Sequence, residues 1–576
     1  MAIWLAAMMM IGQAPNDEDA KLNAFFDDYL KEWLTLRPLD AIRLGAYEYA
    51  GGPSVPSDTE HVAFLDLLKR TRRELGRKIA QDKLSPSGRI DYKILDRDLE
   101  SSIWNAETFR TFETDPRLYN AAIADAPYLL LVQCTLPMER RVQLCEQRIA
   151  LVPRIVENAK RCLKNPPAVF VETAIKMNRG AIGFYESGIY EVAGQSPQVS
   201  SLRSSSQKAA EVLKGYQDYL EKTLLPQSNG EWRVGKQKFV KKLDFDLDAG
   251  IDAEELFREA TNEQARVERE MWTIGRQLWG RLFPGVAAPP DDVNGRRELT
   301  ATILNALAKN HATPETVLSK AQESAAGIKQ FIAERKILTL PDPDRCQIVE
   351  MPEFQRGNST AFLNPAPPLD ANANSIYAIS PPPKDWSPER AITLLEEYND
   401  YMLHILTVHE AYPGHYVQLE YSNRHPSKIR KVLQSGTFSE GWAVYTEQMM
   451  LDQGFGDGDA ALRMHQLKFY LRAVVNSILD QRMHTMGMTD EQAMKLLVDS
   501  AFQSEAEARL KVIRSKQSPV QLSTYFAGRA AFYRLRNQTQ RRLGAKFDLQ
   551  KYHEAVLSHG TLPVKFLPEL IAGQLR

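Results

Sequence analysis

The chain has no run approaching the roughly 20 apolar residues that a membrane-spanning helix needs. It has only four cysteines in 576 residues, Cys134, Cys145, Cys162 and Cys346. No two of them form a C-x-x-C pair, so a thiolate zinc site or a dithiol redox site is not expected, and buried free thiols are the plain reading. It has almost no net charge, −1 at neutral pH. No global basic field is therefore present to recruit nucleic acid or an acidic membrane. A G-x-S-x-G elbow and a Walker loop are both missing, which removes the serine-hydrolase and P-loop readings. No repeat of fixed period stands out. What remains is the composition of a globular protein, 43% hydrophobic and 25% charged, long enough for a large core.

Residues 404–447 carry the chemistry. His409-Glu410-Ala411-Tyr412-Pro413-Gly414-His415 places two histidines and a glutamate within seven residues, and Ser439-Glu440-Gly441-Trp442-Ala443 follows about 25 residues later. A zinc hydrolase needs neutral imidazoles, a carboxylate ligand, an open position for water and a separate carboxylate as base. All four needs can be met here. In H-E-x-x-H the histidines stand four apart on one helical face. Here they stand six apart, which turns a regular helix by about 600° and leaves His415 roughly 120° off the face of His409. Pro413 cannot bond back to the carbonyl of His409, and Gly414 is free of side-chain constraints. The expectation is a bulge that loops out two residues and returns His415 to the metal.

With these motifs in view, the chain resembles the bacterial family catalogued as domain of unknown function 885, which is similar to zinc metallopeptidases of the gluzincin type. The resemblance rests on H-E-A-Y-P-G-H and S-E-G-W-A-x-Y. It extends to Asp480-Gln-Arg-Met-His484, to Pro519-Val-Gln521-Leu-Ser-Thr-Tyr525-Phe-Ala-Gly528, and to Arg37-Pro38 through Gly45 and Asp91-Tyr92 near the N-terminus. It covers roughly residues 20–570. Tyr416 departs from the family pattern, where a second histidine is common, and leaves His415 as the one candidate second ligand in the motif. The resemblance implies one zinc ion per chain on His409, His415 and Glu440, Glu410 as general base, and Tyr525 as donor to the oxyanion.

Three further residues are candidates for substrate binding. Asp480 and His484 stand one helical turn apart, so a carboxylate could orient the imidazole. Arg529 stands one turn beyond Tyr525 if one helix holds both, and its guanidinium could grip a peptide carboxylate.

The expected fold is mainly α: a large helical protein with a small mixed β-sheet beside a zinc-peptidase-like active-site helix and a deep central cleft. Helical periodicity runs from Glu18 to about Leu225, broken at prolines. A second helical stretch runs over 313–336, with Thr313 as its cap before Pro314. Ile337–Leu340, Cys346–Met351, Ser359–Leu363 and Ser375–Ile379 are β-prone. An edge strand beside the metal could pair with an extended peptide. The division expected is a possible signal peptide over 1–15, a helical region over 16–230 and a catalytic region over 231–576. Ala2–Ile11 is apolar and Gly12-Gln13-Ala14 follows it, which resembles an export signal, although no Lys or Arg precedes it. Periplasmic or extracellular location is the expectation and cytoplasmic the alternative.

The function expected is zinc-dependent hydrolysis of peptides or oligopeptides, with removal of residues from the C-terminus as one mode. The partner is a peptide substrate, without nucleic acid or a membrane span, and a homodimer is an open assembly. The alternatives are a metal-dependent hydrolase of non-peptide amides or esters, and a non-catalytic helical binding protein.

Overall fold

A computed structural model describes residues 16–194, 197–351 and 361–575. Possible signal residues 1–15 lie outside them. The architecture is mainly α, with one three-stranded mixed sheet. Helix starts follow local chemistry. Asn16, Ser57, Ser85 and Asp252 each accept a hydrogen bond from the backbone N–H three residues on, at the heads of Asp17–Leu36, Asp58–Lys78, Pro86–Phe109 and Ala253–Leu282. No helix among the described residues is long and apolar enough to cross a membrane.

Three apolar cores organise the helices. The largest joins Leu22, Phe26, Leu68 and Leu95 to Leu406, Val408, Trp442 and, near the C-terminus, Tyr552 and Ile571. The two ends of the chain thus share one core, which crosses the boundary expected near residue 230. A second core lies wholly within Ile42–Leu224, and a third runs from Phe239 to Ala527 around the buried helix Ala460–Thr485. The first region is also pinned to the rest by a buried ion pair between Asp91 and Arg430. Between them lies a cavity of about 720 Å³ lined by residues of both, among them Phe64, Arg117, Phe170, Trp232 and Gln521.

The sheet comprises β1 (Cys346–Glu350), β2 (Ala361–Asn364) and β3 (Ser375–Ile379), in the order β1-β3-β2. β1 runs parallel to β3, and β2 antiparallel, with Leu363 opposite Tyr377. Ile337–Leu340, expected as a fourth strand, is not one. Its backbone groups bond to side chains instead. His553 Nδ1 meets the carbonyl of Ile337 at 2.9 Å, Tyr421 donates to that of Thr339 at 2.7 Å, and the Thr339 N–H donates to Glu554 at 3.0 Å. The helix expected from residue 313 starts later, at Val317, because Thr313–Thr316 closes a turn with its own backbone bond of 3.1 Å.

Candidate metal centre

His409 ends the helix Asp400–Glu410, and His415 begins a new one, His415–Asn423. The chain between them is a true break, not a bulge within one helix. Ala411 leaves helical geometry (φ −115°, ψ −80°), the Tyr412–Pro413 bond is cis, and the Trp442 indole N–H holds the Pro413 carbonyl at 2.8 Å. Gly414 is required for a reason other than unusual φ, which is only −70°. A Cβ there would stand 1.9 Å from the carbonyl oxygen of His409 and 2.3 Å from that of Val408. Only a residue without Cβ lets the second helix start this close to the end of the first.

The break brings the two imidazoles together at right angles, ring centres 4.8 Å apart. The helix Gly436–Asp452 supplies the third group. Glu440 Oε2 lies 3.3 Å from His415 Nε2 and 3.9 Å from His409 Nε2. One ligand atom from each of the three side chains lies within 4.8 Å of the others. Among the described residues this is the one such cluster.

Each imidazole is oriented from behind. His409 Nδ1 sits 2.7 Å from Glu447 Oε1, and that contact leaves Nε2 to face the cluster. His415 Nδ1 sits 3.3 Å from the Ser439 hydroxyl. Glu447 did not emerge from the sequence reading. A signal was present: it stands seven residues after Glu440, two turns on along the same helical face.

Burial drives the pKa of His409 down to about 3, with the charge of His415 adding to the effect and Glu440 opposing it. Burial also disfavours the charged form of His415, but the contact with Glu440 and the charge of Glu410 outweigh it and raise its pKa. For Glu440, burial is outweighed by His415, His409 and the Tyr525 hydroxyl, and its pKa falls. Glu447 is wholly buried, and desolvation pushes its pKa far up against the nearby charge of Arg529.

Glu410 faces the sheet. Its Oε2 accepts the Leu363 N–H of β2 at 3.1 Å, so the outer edge of β2 borders the cluster. Burial raises the Glu410 pKa to about 7. Tyr525 lies in the first turn of the helix Thr524–Leu543. Its hydroxyl accepts from Arg514 at 3.0 Å and from Gln521 Nε2 at 3.3 Å, leaving its own proton to donate.

The three expected substrate-binding residues have other partners. Asp480 and His484 share a helix but do not bond to each other. Asp480 accepts the Val520 N–H at 3.1 Å and the Ser523 hydroxyl at 2.7 Å. His484 Nε2 meets the Ser515 carbonyl at 2.9 Å while its ring stacks on Phe239. Arg529 does share a helix with Tyr525, yet its guanidinium is buried against the rings of Tyr470 and Tyr533 and donates to the Tyr470 hydroxyl at 2.6 Å and to Gln448. An i to i+4 spacing sets which face a side chain leaves from, and the neighbouring helix decides what it meets. Tyr416, the departure from the family pattern, is also buried, and its hydroxyl accepts the Arg345 N–H at the start of β1.

The family model for "Bacterial protein of unknown function (DUF885)" matches residues 38–571. The chain belongs to this family. No curated protein matches it. Two solved structures share the fold of this DUF885 protein. One, from Shewanella oneidensis, is described as a "putative lipoprotein of unknown function". It is 29% identical with a TM-score of 0.79, over 95% of this chain and 99% of that one. The other, from Colwellia psychrerythraea, is described as a "putative lipoprotein". It is 18% identical with a TM-score of 0.79, over 97% and 99% of the two chains.

The donor set suits a divalent metal of the zinc kind. Two imidazole nitrogens and one carboxylate oxygen converge, and both imidazoles are fixed through their far nitrogens. If all three held a metal, a fourth position would remain for water or substrate.

Proposed function

We propose that this protein is a zinc-dependent hydrolase that cleaves peptide bonds in peptides or oligopeptides. The observation that carries the reading is the convergence of His409, His415 and Glu440 with another carboxylate, Glu410, beside them and outside the ligand set. A structural metal has no use for such a base.

His409, His415 and Glu440 would hold the metal. Bound there, zinc would supply a Lewis acid and lower the pKa of its water. Glu410 is the group to take a proton from the attacking water and return it to the leaving amine. Its Oε2 is steadied by the Leu363 N–H, so the carboxylate keeps one orientation through both transfers. Tyr525 is the donor to the oxyanion, with Arg514 and Gln521 fixing its hydroxyl from behind. The outer edge of β2 offers an extended peptide a strand to pair with, which aligns its backbone before reaction. Export to the cell envelope is part of this proposal. Its supports are the apolar Ala2–Ile11 stretch and the description of both structural neighbours as putative lipoproteins.

The deciding experiment pairs metal analysis with a peptide-library digest of the wild type and Glu410→Gln. About one zinc per chain in both proteins, and cleavage by the wild type alone, is the expected result. Cleavage of esters or non-peptide amides in place of peptides would move the substrate class. Unchanged turnover in Glu410→Gln would remove the assignment of the base.

A further inference from the structure

Arg514 belongs to the helix Glu505–Gln517. It is an exposed arginine. One terminal nitrogen donates to the Tyr525 hydroxyl at 3.0 Å and to Gln521 Oε1 at 2.7 Å. Both acceptors are neutral. Among the described residues no carboxylate pairs with this guanidinium, in contrast to arginines such as Arg161 with Asp58 and Arg463 with Glu270. A guanidinium carries five N–H donors in a planar fork, and only one edge of this one is in use.

Lys511 stands one turn earlier on the same helix and is half-buried. It too makes no ion pair among the described residues. The nearest acidic group on its own helix, Glu507, is already engaged by the Tyr398 hydroxyl and by Arg472. Burial lowers the Lys511 pKa to about 7, with repulsion from Arg514 and Arg472 adding to the effect and Glu507 and Glu440 opposing it. Two cations one helical turn apart without a carboxylate of their own repel each other. An anion lying against both would relieve that repulsion.

The location makes the ligand specific. Arg514 touches the hydroxyl assigned to the oxyanion. A carboxylate on the open edge of its fork would sit within one or two residues of extended peptide from Tyr525, at about 3.5 Å per residue. Arg514 is exposed, and Gln521, its second acceptor, lines the cavity of about 720 Å³. Arg529, the other cation near Tyr525, is closed off by Tyr470, Tyr533 and Gln448.

We propose that Arg514, with Lys511 beside it, forms a carboxylate-binding subsite that takes an α-carboxylate or an acidic side chain of the substrate next to the bond to be cleaved. The inference rests on the peptide-hydrolase reading for its substrate and makes Arg514 a specificity-determining residue.

The test is a binding measurement on the zinc-loaded full chain carrying Glu410→Gln, so that peptides survive. Three probes are titrated by calorimetry: acetyl-Ala-Ala-Ala as the free acid, the same peptide as its C-terminal amide, and acetyl-Ala-Ala-Asp amide. At least one carboxylate-bearing peptide should bind about tenfold or more tighter than the neutral amide, the scale of a charge-assisted bidentate contact. Preference for the free acid identifies an α-carboxylate, and preference for the Asp peptide identifies an acidic side chain. Adding Arg514→Ala should abolish the preference, bringing the ratio of carboxylate-peptide to neutral-amide affinity down to about one. Arg514→Gln serves the same purpose should the alanine variant fail to fold. Equal binding of all three probes, no binding of any, or a preference that survives loss of Arg514 would each overturn the inference. A preference that depends on Arg514, in a protein whose wild type hydrolyses no peptide, would uphold the subsite and remove the hydrolase reading instead.

Discussion

Gly441 and Gly528 face each other where the Glu440 helix crosses the Tyr525 helix. A Cβ on Gly441 would fall 2.4 Å from the Cα of Gly528, and one on Gly528 would fall 2.1 Å from the Thr437 carbonyl oxygen. The two backbones touch. Each glycine is adjacent or close in sequence to a residue of the site, Glu440 in one case and Tyr525 in the other. The contact therefore sets how near the third candidate ligand stands to the candidate oxyanion donor. Gly441→Ala should force the helices apart. The expected cost is about 1–3 kcal/mol of stability, as for an overpacked core, read as a lower urea midpoint. Metal affinity should drop with it. An alanine variant as stable as the wild type would show that the crossing has slack.

Glu447 provides a second prediction. Its carboxylate meets His409 Nδ1 at 2.7 Å and is wholly buried. Glu447→Gln preserves the shape and an acceptor oxygen but takes away a carboxyl that can give up its proton when a metal draws on the imidazole. Groups in this position commonly change metal affinity by about 10–100-fold. Chelator competition should show a loss on that scale, with circular dichroism unchanged. Unaltered affinity would reduce Glu447 to a packing role.

Acid should destabilise the fold in part through His553. The side chain is fully buried, with Nδ1 at 2.9 Å from the Ile337 carbonyl and Nε2 at 2.7 Å from the Tyr445 hydroxyl. Burial lowers its pKa from 6.5 to about 3. Between those values the unfolded chain binds a proton that the folded chain refuses. Stability therefore falls as pH falls through 6.5, by about 1.4 kcal/mol per pH unit for one such group. Asp480 acts in the opposite sense: burial raises its pKa to about 7, so its share of stability grows as pH falls below that value. The informative quantity is thus the difference between proteins. His553→Gln should lower the urea midpoint at pH 7 yet show a shallower decline between pH 6.5 and 5 than the wild type. Parallel declines would mean that His553 is protonated in the folded state.

Much of the site could be read along the chain because its parts are local. His409, Glu410 and His415 lie within seven residues, and Pro413-Gly414 marked where the helix had to change. β3 was expected over Ser375–Ile379 and occurs there. What could not be read depended on distant partners. Ile337–Leu340 has strand propensity, but Glu554 and His553, more than 200 residues on, take its backbone groups. Asp480 and Arg529 were correctly placed on helices, yet their partners, Val520, Ser523, Tyr470 and Gln448, come from packing that no spacing rule contains. Glu447 escaped because its one sign was a two-turn spacing from Glu440, and such spacings are common on helices.

Asp480 and Tyr525 form the last prediction, because the first positions the second. Val520 adopts φ +76°, a conformation that a β-branched residue resists, and its N–H is held by Asp480 Oδ1. Asp480 Oδ2 holds the Ser523 hydroxyl, which directly precedes the Tyr525 helix. Asp480 is fully buried and reaches no part of the metal cluster by hydrogen bond. Its effect on the reaction must pass through the turn. Tyr525→Phe should lower kcat by about 10²-fold with little change in KM, as for a lost oxyanion donor. Asp480→Asn should lower kcat in the same way but by less, because an amide keeps one acceptor for the two donors. In the double variant the two effects should not add: once the Tyr525 hydroxyl is gone, disturbing the turn that aims it has little left to cost. Kinetics of the four proteins on one peptide substrate decide it. Losses that multiply in the double variant would show that Asp480 acts on something other than Tyr525.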